Sequence, residues 1–389
     1  MNVLPTPLLS GLAVLLALGG LMALAPAEAS HGATTSTPAL TPPATRPPYV
    51  PPVGHVFVIN IENKGYPETW GQSSAAPYLA RTLRAKGVLL DHYYATAHNS
   101  APNYLAQISG QAPNLATQTD CQNFSAFTTT GPDQDGQAVG SGCVYPATVP
   151  TLPRQLTDAG LEWRGYIQQM KRPCQHPPVG KPDLTQHARR HHNYAVRHNP
   201  FMYFRSIIDD PAYCESHVRR LLAITHDLAR TRTTPNLSYI TPDLCRDGHD
   251  APCAAGQKGG LPAVDKFLRN WVPRILASPA FKKDGVLIIT ADESDGPGSD
   301  STACCGELPG PNTLLGTGAG ISGPGGGRVG ALVISQWSQP GSWSTTPYNH
   351  YSLLASIEEI FGLPKLGMAN QGGLDVFGLD VYNVPFPVG

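Results

Sequence analysis

Residues 285–296 read Gly-Val-Leu-Ile-Ile-Thr-Ala-Asp-Glu-Ser-Asp-Gly, an apolar run that stops abruptly on Asp292, Glu293 and Asp295. A short Val/Ile/Leu stretch closed by acids and glycine predicts a parallel strand buried on both faces, delivering carboxylates at its C-terminal end. Open α/β sheets keep their sites at that edge. Acids and glycine also follow strands in ordinary solvated turns, so this stretch alone leaves both readings open. Residues 55–63, His-Val-Phe-Val-Ile-Asn-Ile-Glu-Asn, end the same way on Glu62 and Asn63. Two strands that both finish in metal-ligand chemistry point to one shared site. Asp295 lies past the pair and reads as a turn residue.

The rest of the chain is organised to match. A helical spacing over 76–86 stops at Gly87 and is followed by a strand over 88–94, a β-α-β opening. Further helices are expected over 151–159, 212–231, 260–276 and from His350 to Gly362. Further strands are expected over 163–168, 236–241 and 328–335. This order predicts a single α/β domain, a three-layer α/β/α sandwich with a mostly parallel central sheet. The 40 Gly and 39 Pro imply long irregular connections, where function tends to reside.

Three segments follow from composition: a signal peptide over 1–29, a Pro/Thr-rich linker over 30–54 and a folded domain over 55–389. The apolar run 8–25 followed by Ala27-Glu28-Ala29 predicts cleavage after Ala29 and export. An uncleaved anchor is the alternative, and no later stretch is long and apolar enough to span a bilayer. The linker is too poor in large apolar residues to pack. Eight cysteines suit four disulfides in an oxidising compartment. Proximity favours Cys121 with Cys143 and Cys245 with Cys253, while Cys304 and Cys305, being adjacent, are each expected to pair elsewhere. A charged fraction of 14% and a net charge of −1 offer no basic surface for nucleic acid.

Ser100 stands where a helix N-cap belongs, ahead of Pro102 and the stripe Tyr104, Leu105 and Ile108. There it would either cap orphan N–H groups or act as a nucleophile favoured by the positive helix end. A third strand end, near 241, brings Asp243 and His249. The Arg189-Arg190-His191-His192 run reads as a solvated loop. Hard oxygen donors with a few imidazoles suit a divalent cation, Ca²⁺, Mg²⁺, Mn²⁺ or Zn²⁺.

Together, Glu62-Asn63-Lys64, the Ser-x-Pro-Asn-Tyr-Leu run of 100–105, His198-Asn199-Pro200, the Thr-Pro-Asp…His-Asp segment of 241–250, Thr290-Ala291-Asp292-Glu293 and Asn349-His350-Tyr351-Ser352 resemble the bacterial and fungal phosphoesterase family. That family includes secreted acid phosphatases and phospholipases C and belongs to the alkaline phosphatase superfamily. The resemblance implies an alkaline-phosphatase-like fold. It implies that Glu62, Asn63, Ser100, Asp292 and Glu293 surround a metal ion and that Ser100 is the nucleophile. His249 and His350 would serve the phosphate or the leaving group, and His198, Asn103 and Asp243 would contact phosphate. One departure is local: His98-Asn99-Ser100 stands where members often read His-Pro-Ser or His-Gly-Ser.

The function expected is a secreted, metal-dependent phosphatase acting on small-molecule phosphomonoesters through a phosphoserine at Ser100. The large C-terminal domains of the phospholipase C branch have no counterpart here, which tilts the expectation towards monoesters. The alternatives are a phospholipase C or other phosphodiesterase, acting on phospholipid head groups, and a non-enzymatic phosphate-binding surface protein.

Overall fold

The computed structural model describes residues 47, 49–296, 298–313 and 317–385. The expected signal peptide and residues 30–46 of the expected linker lie outside them. Eight strands form the central sheet: β1 (His55–Ile61), β2 (Val88–Leu90), β3 (Trp163–Ile167), β4 (Val218–Arg220), β5 (Leu237–Thr241), β6 (Gly285–Ala291), β7 (Ala331–Ser335) and β8 (Trp343–Ser344). Their spatial order is β8-β2-β7-β6-β1-β5-β3-β4. Every residue of β1 and β6 is buried, as a strand covered on both faces requires. All pairings are parallel except those of β7, which runs antiparallel to both β6 and β2.

Side-chain alternation shows how the layers lie. On β1, Asn60 exchanges hydrogen bonds of 3.0 Å with Gln107 of helix α1 (Ser100–Ser109). Phe57, three residues earlier and so on the other face, meets Phe281 of the short helix Pro279–Asp284. Helix α1 packs on helix α3 (His350–Phe361). Helix α2 (Gly260–Ala277) contacts the Pro279–Asp284 helix and buries a stripe that includes Leu261, Val264, Leu268 and Ile275, the spacing of an amphipathic helix. The expected three-layer α/β/α architecture therefore holds. Each buried aliphatic side chain contributes roughly 1.5–3 kcal/mol.

Three local expectations are corrected. Strand β2 does not complete a β-α-β unit with β1, because β6 and β7 lie between them, and the intervening helix is a π-helical turn at Tyr78–Leu83 followed by a 3₁₀ turn. The single helix expected over 212–231 is broken: Pro211–His217 is helical, and Val218–Arg220 then extends as edge strand β4 against β3. Residues 49–54, assigned to the linker, are packed: Val50 and Val53 are buried, and Gly54 N–H donates to the Asp284 carbonyl at 3.1 Å.

The disulfides Cys121–Cys143 and Cys245–Cys253 form as expected, and Cys174–Cys214 is a third. Cys304 and Cys305 bond to each other, against expectation. No helix among the described residues is long and apolar enough to cross a membrane.

Candidate active site

The register that pairs Ile61 with Ala291 carries Glu62 and Asp292 side by side past the C-terminal ends of β1 and β6. Asn63 turns the chain there with φ 46°, a left-handed conformation that asparagine tolerates better than most residues. Its backbone N–H donates to Asp292 Oδ1 at 3.0 Å and its Nδ2 to Glu293 Oε1 at 3.3 Å. Two strand ends are thereby tied into one wall of Glu62, Asn63, Asp292 and Glu293. Asp295 lies outside it, half exposed and paired with Lys64 at 3.2 Å.

Ser100 faces this wall from the start of α1. It is the first helical residue, not the cap; Asn99 holds the cap position with φ 72° and donates its backbone N–H to Glu293 Oε2 at 3.0 Å. Ser100 is buried, and its hydroxyl donates to Glu62 Oε2 at 3.0 Å. The phosphate contact expected of Asn103 is not what the structure shows. Its Oδ1 accepts from the Thr96 and Ala97 N–H groups, both at 3.0 Å, and its Nδ2 donates to the Ala97 and Asn99 carbonyls at 2.6 and 2.9 Å. Asn103 instead shapes the loop that presents Ser100.

The segment after β5 brings a further acid. Asp247 Oδ2 lies 3.2 Å from His198 Nδ1, its Oδ1 accepts from the His249 N–H at 2.9 Å, and its carbonyl accepts from the Glu62 N–H at 2.8 Å. His198 Nε2 in turn stands 3.3 Å from Glu62 Oε2. Glu62, His198 and Asp247 are all buried, and one ligand atom from each lies within 4.8 Å of the others. Asp243 is placed elsewhere: Arg246 holds its Oδ2 at 2.5 Å and the Cys245 N–H donates to its Oδ1 at 3.0 Å. With both oxygens engaged in closing its own turn, Asp243 is not available for the phosphate role expected of it.

The histidines divide by environment. His249 rests its Nδ1 on Asp250 at 2.6 Å, turns Nε2 towards Arg197 at 3.1 Å, and keeps a quarter of its side chain exposed. His350 is fully buried; its Nε2 donates to the Asp292 carbonyl at 2.6 Å, and its Nδ1 accepts from the Tyr93 hydroxyl at 3.0 Å. Burial holds its pKa down to about 4. The proton-donor role expected of His350 therefore has no free nitrogen and no available proton, and the residue positions Asp292 instead. Burial, and then Arg197 and His249, push the pKa of His198 well below the ordinary value.

The carboxylates are crowded. Burial, then Asp292 and Asp247, raise Glu62 well above the carboxylate range; burial, then Asp292 and Asp120, do the same for Glu293; burial dominates at Asp247. Acids packed together out of water are costly unless protonated or neutralised by a cation. Asn63 Oδ1 and Asp292 Oδ2 are buried with no hydrogen-bond donor among the described residues. Unpaired hard oxygens beside crowded carboxylates fit a divalent cation.

Asp247, His98 and Tyr104 were not among the expected site residues. Asp247 stands six residues past the strand end at Thr241, hidden by Asp243 at the more obvious position. His98 holds Glu293 Oε2 at 2.7 Å through Nδ1, and the Tyr104 hydroxyl donates to Glu62 Oε1. The signal for Tyr104 was its place one helical turn after Ser100, where it reads equally well as core.

The profile of the Phosphoesterase family matches residues 68–364. Similar curated proteins include an acid phosphatase of Aspergillus fumigatus, 24% identical over 84% of this chain and 62% of its own length. A phosphatidylinositol-3-phosphatase of Mycobacterium tuberculosis is 24% identical over 83% of this chain and 81% of its own length. A hemolytic phospholipase C of Pseudomonas aeruginosa is 24% identical over 77% of this chain and 40% of its own length. The chain spans 62%, 56% and 59% of three fungal acid phosphatases that it matches. Among solved structures, a protein in the alkaline phosphatase superfamily from Vibrio parahaemolyticus aligns with TM-score 0.48 and 11% identity, covering 87% of this chain and 74% of that one.

Proposed function

The chain belongs to the Phosphoesterase family, and from that premise we propose that it is a metal-dependent phosphatase that hydrolyses phosphomonoesters through a phosphoserine at Ser100. The observation that carries this reading is the buried Ser100 hydroxyl at the N-terminus of α1, 3.0 Å from Glu62 Oε2. A helix N-terminus favours both an alkoxide and a phosphate bonded to it.

In the proposed reaction Ser100 Oγ attacks phosphorus, the bond from phosphorus to the ester oxygen breaks, and the alcohol leaves with one proton. Glu62 Oε2, already the acceptor of the Ser100 hydrogen bond, is placed to receive the hydroxyl proton. His249, anchored on Asp250 through Nδ1 and partly exposed, would protonate the leaving oxygen through Nε2 once that atom is released from the Arg197 N–H that it accepts. Water then attacks the phosphoserine, releasing inorganic phosphate and restoring the serine hydroxyl. Glu62, Asn63, Ser100, Asp292 and Glu293 would hold the divalent cation, with His198 and Asp247 adjoining Glu62. When bound, such an ion lowers the pKa of a hydroxyl and polarises a phosphoryl oxygen.

Tyr104, stacked on His198 with ring centroids 5.5 Å apart, and His98 fix the carboxylates in place. The four disulfides among the described residues support an exported protein, in keeping with the expected signal peptide. The substrate class is tested with a panel of aryl phosphomonoesters, bis-aryl phosphodiesters and phosphatidylcholine. Turnover of monoesters is expected; activity confined to the diesters or to phosphatidylcholine would replace this reading with a phosphodiesterase or phospholipase C.

A further inference from the structure

A cavity of about 450 Å³ opens where Cys245 and Arg246 of the 243–250 turn meet helix α2. Phe267 and Trp271 of α2 give it an apolar side, and Gln168, Arg246, Lys258 and Lys266 are among the polar residues that line it. No acidic side chain lines it among the described residues. Lys258 and Lys266 are exposed, and neither ammonium has an ion-pair partner among the described residues. Arg246 keeps one carboxylate, that of Asp243, at 2.5 Å. The cavity is thus cationic, with two charges unspent.

Its place in the sheet relates it to the catalytic wall. Gln168 follows the last residue of β3 and accepts the Asp243 N–H at 3.1 Å, while Asp243 follows β5, the neighbour of β1. Gln168 and Glu62 therefore stand at the same C-terminal edge, two strand spacings or roughly 10 Å apart. The 243–250 turn divides the two regions, presenting Asp247 and His249 to one and Arg246 to the other.

We propose that this cavity is a subsite for a second anionic group, so that the preferred substrates are phosphate esters carrying another phosphate or carboxylate no nearer to the scissile phosphate than Gln168 is to Glu62, roughly 10 Å. The proposal rests on the phosphatase reading for the word substrate, while the anion site itself does not. The ligand chemistry follows from the lining: lysines for the charge and an aromatic side for the intervening carbon chain.

The test compares octanediol bisphosphate, ethanediol bisphosphate and octyl phosphate on the full chain and on a K258E/K266E variant. Two exposed charge contacts together shift affinity by about tenfold. The ratio of kcat/KM for octanediol bisphosphate over octyl phosphate is expected to be about ten in the unaltered protein and to fall towards one in the variant. Ethanediol bisphosphate, too short to span the two regions, is expected to behave like octyl phosphate. Calorimetry on the S100A protein reads the subsite without turnover: octanediol bisphosphate should bind about tenfold more weakly once K258E/K266E is added. A ratio near one in the unaltered protein, or binding indifferent to the charge reversal, overturns the subsite. Binding that responds to the lysines without any ester hydrolysis upholds the subsite and overturns the phosphatase reading.

Discussion

His350 donates its Nε2–H to the backbone carbonyl of Asp292 across 2.6 Å, deep in the protein. The bond fixes the strand end from which Asp292 and Glu293 project, so His350 belongs to the site without facing the substrate. His350→Phe keeps a ring of similar bulk but removes the donor, leaving a buried carbonyl unpaired at a cost of about 1–3 kcal/mol. His350→Gln retains an N–H donor. Denaturant unfolding and cation titration should both rank the unaltered protein above Gln and Gln above Phe. Equal behaviour of the two variants would remove the positioning role.

The crowded carboxylates lead to a prediction about cation binding. Glu62→Gln and Asp247→Asn should each weaken divalent-cation affinity by about 10–100-fold, measured by calorimetry and elemental analysis. Asp243→Asn should leave cation content as it was, because Arg246 and the Cys245 N–H already use its oxygens. Loss of cation in the Asp243 variant, with retention in the Asp247 variant, would contradict this division between the two acids. Chelator treatment should abolish hydrolysis, and one of Ca²⁺, Mg²⁺, Mn²⁺ or Zn²⁺ should restore it.

The contrast between Asp243 and Asp247 shows how far the sequence could be read. β1 and β6 were legible because strands buried on both faces are spelled as mostly apolar runs, and the acids and amide that end them were visible for the same reason. Ser100 was legible through the helix signals around it. What remained hidden depends on pairing across the chain. Nothing local distinguishes Asn103, whose amide organises its own loop, from an amide that faces a ligand. Nothing at His350 reveals that both its nitrogens are already used. The edge strand Val218–Arg220 exists only because β3 lies beside it, and the Pro-rich approach to β1 hid the anchors Val50 and Val53.

A buried acid away from the site sets a pH dependence of stability. Glu358 of α3 accepts the Leu366 N–H at 3.0 Å through Oε1, while its Oε2 has no donor among the described residues. Burial pushes its carboxyl up to about 9, against the opposing effect of Lys365. The folded pKa lies above the unfolded one, so the group lowers stability progressively as pH rises from the ordinary glutamate range towards 9. Glu358→Gln removes this term. Unfolding free energies should show the variant gaining on the unaltered protein between acid and neutral pH, by on the order of 3 kcal/mol at pH 7. Parallel pH profiles for the two proteins would contradict the shift.

The phosphoserine is tested most directly by trapping it. Acid quench of the turning-over protein with a phosphate-labelled aryl monoester, followed by peptide mapping, should place label on Ser100, the residue whose hydroxyl lies 3.0 Å from Glu62 Oε2. Ser100→Ala should retain its fold and its divalent cation, take up no label and lose several orders of magnitude in kcat/KM. Near-normal turnover by Ser100→Ala, or label on another residue, would contradict the account.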